Sequence, residues 1–233
     1  MKHILILAFS LLFLASCNSR SGSGTIITEN RTTENFTGIS VSNSITVELR
    51  TGAAFQVRVE ADDNLMKYVA TDVEDGQLRI RLKDRMNVRN ANIHVFITAP
   101  EISKIVASSA ADVKAIGVLR AAASISLDVS SAAKIEANVD APKVSLEASS
   151  AGNIDVSGKT QSMSAESSSG SDINAYDLLC ETARASASSG ASIKLHASVA
   201  LDANSSSGAS IHHHGGAKVQ QTASSGGSVT NDE

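Results

Sequence analysis

A chain of 233 residues with 24 acidic and 20 basic side chains has a formal charge of −4, and those charges are interspersed without a basic stripe. That distribution excludes nucleic acid as a partner and offers no basic run for anionic lipid headgroups. Hydrophobic residues make up 42% of the chain, but it holds no Trp, two Tyr and five Phe, which excludes a globular core built on large aromatic side chains.

The chain opens with Lys2 and His3, an apolar run from Ile4 to Leu14, and then Ala15-Ser16-Cys17. A basic start, a short apolar run and small residues at its end make an export signal, too short to span a bilayer. Leu14-Ala15-Ser16-Cys17 reads as a bacterial lipobox, so residues 1–16 are expected to be a lipoprotein signal peptide and Cys17 the acylated first residue of the mature chain. Lys2 leaves with the leader, so the mature chain is one unit more acidic than the whole. Acyl chains on Cys17 give the protein a membrane partner. They also leave Cys180 as the one remaining thiol, with no disulfide to form. Residues 17–24, with Ser-Arg-Ser-Gly-Ser-Gly from Ser19, are expected to be the lipidated cysteine and a flexible tether.

Residues 25–106 form an irregular β-rich lobe. Ile39-Ser-Val41, Ile45-Thr-Val47-Glu-Leu49, Phe55-Gln-Val57-Arg-Val59, Leu78-Arg-Ile80-Arg-Leu82 and Ile93-His-Val95-Phe-Ile97 alternate apolar with polar residues, the pattern of strands buried on one face. A short helical turn is placed around Asp63 to Val69.

Residues 107–233 repeat. Ser-Ser-Ala or Ser-Ser-Gly closes tetrads that begin at 107, 129, 148, 167, 187, 205 and 223, at spacings of 22, 19, 19, 20, 18 and 18 residues. Self-similarity at such a period is the mark of a solenoid. Three positions past each tetrad stand Val113, Ile135, Ile154, Ile173, Ile193, Ile211 and Val229, a stack of β-branched residues with one per coil. Ahead of the tetrads run Ile125-Leu127-Val129, Val144-Leu146-Ala148, Met163-Ala165-Ser167, Ala183-Ala185-Ala187 and Leu201-Ala203-Ser205 at alternate positions. Each coil therefore carries a strand on either side of a Ser-Ser corner. The fold class is all-β, a parallel β-helix-like solenoid of about 18–22 residues per coil, with coils stacked about 4.8 Å apart. Alternation across the corner predicts one inward serine per pair, and Gly170, Gly190, Gly208 and Gly226 are expected in a tight turn at positive φ. The N-terminal lobe is expected to cap one end, and the polar tail Ser228–Glu233 to blunt the other.

Phe36-Thr-Gly38-Ile39-Ser-Val41-Ser-Asn43-Ser-Ile45-Thr-Val47-Glu-Leu49, Val57-Arg-Val59 with Asp63-Asn64-Leu65, Gly76-Gln-Leu78-Arg-Ile80 and the Ser-Ser-(Ala/Gly) repeats together resemble the putative auto-transporter adhesin, head GIN domain family, over roughly residues 35–230. The resemblance implies a β-helix-like pair of lobes, in a family common among Bacteroidetes lipoproteins, and it supplies no catalytic residues.

The residues following the β-branched stack, Lys114, Glu136, Asp155, Asn174, Lys194, His212 and Thr230, form one mixed outer column. The first five are the candidate binding column. A catalytic reading would need converging carboxylates and aromatic platforms, which the column lacks. His196 and His214 fall six residues after Gly190 and Gly208, so they should stack on adjacent coils with His212 nearby, and these three are the candidate metal ligands. A zinc site gathers three or four oriented ligands, so no resident metal and no cofactor is expected. No base is placed beside any serine, so no serine nucleophile and no enzyme is expected. The sequence thus reads as a non-catalytic outer-membrane lipoprotein on the periplasmic side or the cell surface. Its partner would be an unidentified protein or glycan bound as by an adhesin. The alternative is a periplasmic accessory or sensory subunit of a membrane protein.

Overall fold

The computed structural model describes residues 19–83 and 86–232. The leader 1–16 and Cys17 lie outside the described residues.

The corner that the repeats announce is a turn with two successive left-handed residues. Ser109 and Ala110 have φ of 53° and 59°, Ser131 and Ala132 of 52° and 60°, and Ser189 and Gly190 of 54° and 71°. The turn closes on itself, as where the Ala111 N–H donates to the Ser108 carbonyl at 3.1 Å. It also bonds to the next coil, as where the Ala110 N–H donates to the Ser131 carbonyl at 2.9 Å and the Gly190 N–H to the Ser207 carbonyl at 3.0 Å. Extended alternation fails across such a turn. The first serine of the pair is half-buried and the second exposed at every corner but the last, where Ser224 and Ser225 are both exposed, so the expected inward serine of the pair is not found. The inward positions are instead the residue before the pair and the residue after the turn, Ala107 and Ala111 in one coil, Ser167 and Ser171 in another. The glycines do take positive φ, from 67° to 78° at Gly170, Gly190, Gly208 and Gly226.

Two ladders, parallel except at their N-terminal strands, meet at these corners. The first half of the chain contributes β1 (Ser19–Ser21), β2 (Ile26–Arg31), β3 (Gly38–Val41), β4 (Thr46–Thr51), β5 (Gln56–Asp62), α1 (Asp63–Met66), β6 (Val69–Glu74), β7 (Gln77–Leu82), β8 (Asn87–Arg89), β9 (Ile93–Ala99), β10 (Lys104–Ala107) and β11 (Asp112–Arg120). The second contributes β12 (Ser124–Val129), β13 (Lys134–Ala148), β14 (Asn153–Ser167), β15 (Asp172–Ala175), β16 (Leu178–Ala187), β17 (Ser192–His196), β18 (Ala200–Ser205), β19 (Ser210–His214), β20 (Lys218–Ala223) and β21 (Ser228–Asn231).

One ladder runs β2-β5-β9-β4-β11-β13-β14-β15-β17-β19-β21. The other runs β6-β7-β3-β10-β12-β13-β14-β16-β18-β20. The long strands β13 and β14 pass through both. A third, narrower side pairs Val118–Arg120 with Asn138–Asp140, and Gly158–Thr160 with Leu178–Cys180.

The register is the expected one. Val113, Ile135, Ile154, Ile173, Ile193, Ile211 and Val229 stand opposite one another in turn. From Val113 to Ile211 each is at most 1% exposed. The second inner column steps from Leu127 and Leu146 to Ala165, Ala185 and Ala203, so smaller side chains fill it along the stack. Where serine enters it is bonded: the Ser167 and Ser171 hydroxyls lie 2.9 Å apart, and Ser171 Oγ donates to the Ala148 carbonyl at 2.8 Å.

Two expectations about the N-terminal region are corrected. The solenoid does not begin at 107, since β3 and β4 stack in register on β10 and β11, and Val41-Ser42-Asn43-Ser44 makes the same corner, with φ of 65° and 56° at Asn43 and Ser44. Nor are residues 19–24 a flexible tether. β1 pairs with β8, and the buried Asp62 carboxylate accepts the Gly24 N–H at 2.7 Å and the Asn92 N–H at 2.8 Å. A side chain at position 22 would collide with that carboxylate, which is why glycine stands there.

Antiparallel strands β2, β5 and β6, with α1, close this end of the stack. α1 is the expected helical turn, ending at Met66.

Alanine in the left-handed region costs roughly 1–2 kcal/mol, against glycine's greater unfolded-state entropy. Ala110→Gly, Ala132→Gly and Ala151→Gly are each expected to raise stability by about 0.5–1 kcal/mol, read as a higher melting temperature by circular dichroism. Asp62→Ala leaves two amide donors without an acceptor and is expected to cost about 2 kcal/mol, with amide exchange rising first in residues 19–25.

Candidate functional site

The outward column expected from the sequence is present and longer than the repeats indicate. Lys114, Glu136, Asp155, Asn174, Lys194, His212 and Thr230 are cross-strand neighbours in turn. On the other side of Lys114 the same row continues through Glu48, Phe96, Arg58 and Asn30. These four were missed because the row there passes through strands stacked out of chain order, in parallel at Glu48 and Phe96 and antiparallel at Arg58 and Asn30, where spacing in the sequence no longer reports neighbours in space.

The row neutralises itself. Lys114 Nζ lies 2.7 Å from Glu136 Oε1, and Lys134 Nζ 3.8 Å from Glu136 Oε2. The hydrogen bond with Lys114 holds the Glu136 carboxyl below its ordinary range, and the same bond raises the Lys114 ammonium. Asn174 donates to Asp155 at 3.2 Å. In the N-terminal lobe the Arg58 guanidinium lies 3.9 Å from the centre of the Phe96 ring, pairs with Glu60, and leaves Phe96 stacked on His94 at 4.2 Å. An open depression of about 920 Å³ lies over this stretch, with Asn30, Arg50, Gln56 and Thr98 around Phe96.

A second depression, about 900 Å³, lies at the third side of the solenoid. Its floor is Ala121, Ala141, Pro142 and Thr160, and its rim holds Asp140 between Arg120 and Lys159 at 3.6 and 3.5 Å. Leu179 lines it with 59% of its surface exposed.

The candidate metal ligands are brought together in part. His196 and His214 are register partners with ring centres 4.8 Å apart, as the coil spacing requires. Each ring has one nitrogen hydrogen-bonded to the backbone. The Cys180 N–H donates to His196 Nδ1 at 3.3 Å, which puts the His196 proton on Nε2. His214 Nε2 lies 3.0 Å from the Tyr176 carbonyl, an acceptor, so it also carries its proton there. For His196 this is the reverse of a metal-binding imidazole, whose distal nitrogen donates to an acceptor behind it, whereas His214, donating to a backbone carbonyl, does have that arrangement. His212 is turned to Asp232 at 3.1 Å. Among the described residues no group of three or more His, Cys, Asp or Glu is placed to hold a metal ion. The Tyr176 ring lies tilted against His214 with centres 4.0 Å apart, and its hydroxyl is pushed up by burial and by Asp232. Cys180 is buried, and burial pushes its thiol up to about 11, which leaves no thiolate at neutral pH.

This is a β-solenoid that presents long, internally paired polar rows and shallow grooves, the build of a binding scaffold. The family model of the putative auto-transporter adhesin, head GIN domain matches residues 35–217, and the chain belongs to that family. It is similar in structure to a putative adhesin from Bacteroides fragilis NCTC 9343, at TM-score 0.82 and 18% identity, over 91% of this chain and 98% of that one. It is similar also to a putative lipid binding protein from Parabacteroides distasonis ATCC 8503, at TM-score 0.78 and 19% identity over 91% and 99%. A putative adhesin from Parabacteroides merdae ATCC 43184 matches at TM-score 0.74 and 18% identity over 91% and 98%. At such identities the likeness is one of fold. No curated protein matches the chain.

Burial, and then the neighbouring His214, hold His196 below the ordinary imidazole range. The unfolded imidazole therefore binds its proton first as pH falls. The stability His196 contributes is complete above the ordinary value of about 6.5 and is lost as pH drops through its depressed folded value. Chemical denaturation from pH 7.5 to 5 should show falling stability, and His196→Gln, which still offers Cys180 N–H an acceptor, should flatten the slope.

Proposed function

We propose that this is a non-catalytic, lipid-anchored envelope protein that binds a protein or glycan ligand on its solenoid faces, as an adhesin. The observation that carries the reading is the continuous in-register row from Asn30 to Thr230, polar at every position except Phe96. A repeated surface of this kind gains avidity from many weak contacts. The groups that catalysis would recruit are quenched around it: Glu136 is held ionised by its lysines, the Cys180 thiol is buried and protonated, and the lone pair of His196 Nδ1 is taken by a backbone N–H. General acid–base work needs groups poised near the working pH. The lipobox at Cys17 supports an outer-membrane anchor, and membership of an adhesin-named family supports display outward.

Proteolysis of intact cells of the source bacterium, with lysed cells as control, tests the reading. Loss of the protein on intact cells is the expected result. Protection until lysis would overturn surface adhesion and leave the periplasmic accessory role.

A further inference from the structure

Cys17 precedes Ser19 by two residues, a reach of at most about 7 Å. From Ser19 the chain is already bound to the body of the fold: β1 lies along β8, the Gly22 N–H donates to the Arg89 carbonyl at 3.1 Å, and Ser23 Oγ donates to Asp63 at 2.6 Å. Acyl chains on Cys17 therefore bring the bilayer up against this end of the molecule and leave no slack for the solenoid to swing.

The chemistry of that end fits such a neighbour. Arg20 and Lys67 both lie against the Tyr68 ring, at 4.9 and 5.1 Å, and the Lys83 N–H bonds to the Tyr68 carbonyl. Arg20, Lys67 and Lys83 make no ion pair among the described residues, although the chain as a whole is acidic. Ile26 and Ile27, on the edge strand β2, are 47% and 37% exposed. Exposed aliphatics at the same closing end of the stack as an amphipathic tyrosine and its cations are what an interfacial protein surface presents to headgroups. In the sequence these cations are scattered over more than sixty positions, and only the fold gathers them.

We propose that the N-terminal end of the fold, built from Ile26, Ile27, Tyr68, Arg20, Lys67 and Lys83, is a membrane-docking face. Ile26 and Ile27 enter the headgroup region, the three cations meet lipid phosphates, and the solenoid stands up from the bilayer. Ten interstrand steps from β2 to β21 then hold the C-terminal coil about 48 Å from the surface. The inference rests on acylation of Cys17, part of the reading above.

Because the chain contains no tryptophan, a single introduced one reports its own position. The full chain, expressed with its leader and purified from membranes, is reconstituted into vesicles of phosphatidylethanolamine and phosphatidylglycerol, with or without bromine on the acyl chains. Intact mass is read first, and an unacylated N-terminus overturns the anchor itself, independently of the optical result. With acylation confirmed, Ile27→Trp, and Ile26→Trp as a second reporter, should lose at least half their emission to the brominated lipid, while Val199→Trp on the distal coils keeps its own. Equal emission from all three, or equal quenching of all three, overturns the docking face while leaving the anchor intact. Adding Arg20→Ser and Lys67→Ser to Ile27→Trp should at least halve the quenching, and unchanged quenching overturns the role of the cations.

Discussion

The whole structure depends on a turn in which two adjacent residues occupy the left-handed region at the same place in every coil. A left-handed pair reverses inward and outward parity in a fixed way, so the residue three positions beyond the corner always returns to the interior. Val47, Val113 and the isoleucines that follow are buried because the corner before them is always the same. The turn is costly for any residue but glycine, and the cost is offset by amide bonds that run between corners as well as within them. The Ala132 N–H reaches the Ser150 carbonyl at 3.0 Å and the Ala151 N–H the Ser169 carbonyl at 3.2 Å, so each turn stabilises its neighbour. Serine suits the first left-handed position by being small and polar on a surface where stacked corners stand one coil apart.

A stack made in this way has two ends, and each raises the problem of unpaired strand edges. At the N-terminal end the direction of the strands alternates: β5 runs antiparallel along β9 and β2 antiparallel along β5, β6 runs antiparallel along β7, and α1 joins the two sides. At the other end the strands stay parallel and the inward positions change character. Gln221 stands where Ala203 stands one coil earlier, and Asn231 follows His213. Inward polar side chains in the last coil make it a poor template for another apolar layer, and Asp232 folds back to His212 and Tyr176.

The solenoid was legible because its determinant is local. Four residues specify the corner, and a fixed offset from it specifies the core. The same corner was unreadable at Ser42-Asn43-Ser44, since asparagine reaches the left-handed region as serine does but breaks the literal repeat. Residues 19–24 were misread for a related reason. Their Ser-Gly composition is that of a linker, and what orders them is Asp62, a buried carboxylate 38 positions beyond the Gly24 amide it binds. The inward serine failed because period-two alternation holds only while the backbone is extended. The outer row was read correctly for the seven coils where register follows the repeat and was lost at Glu48, Phe96, Arg58 and Asn30, where it does not.

Translation along the axis also limits what the surface can do. Stacked coils give neighbouring positions nearly the same environment, whereas acid–base catalysis requires close groups held in different environments. Departures from the repeat are therefore the places where specificity can arise, and they cluster. Arg120, Asp140 and Lys159 stand in register with one another and with the exposed Leu179 on the third side, and Tyr176, His196, His214 and Asp232 interlock a few coils further on. With the N-terminal end held at the bilayer these two clusters sit at different heights above it. Along the axis the Phe96 and Arg58 stretch lies nearest the N-terminal end, the charged groove stands at mid-height, and the histidine cluster is nearest the C-terminal end. A large ligand approaching from outside would meet the distal coils first, so the groove and the outer row become reachable along the flank rather than across the top.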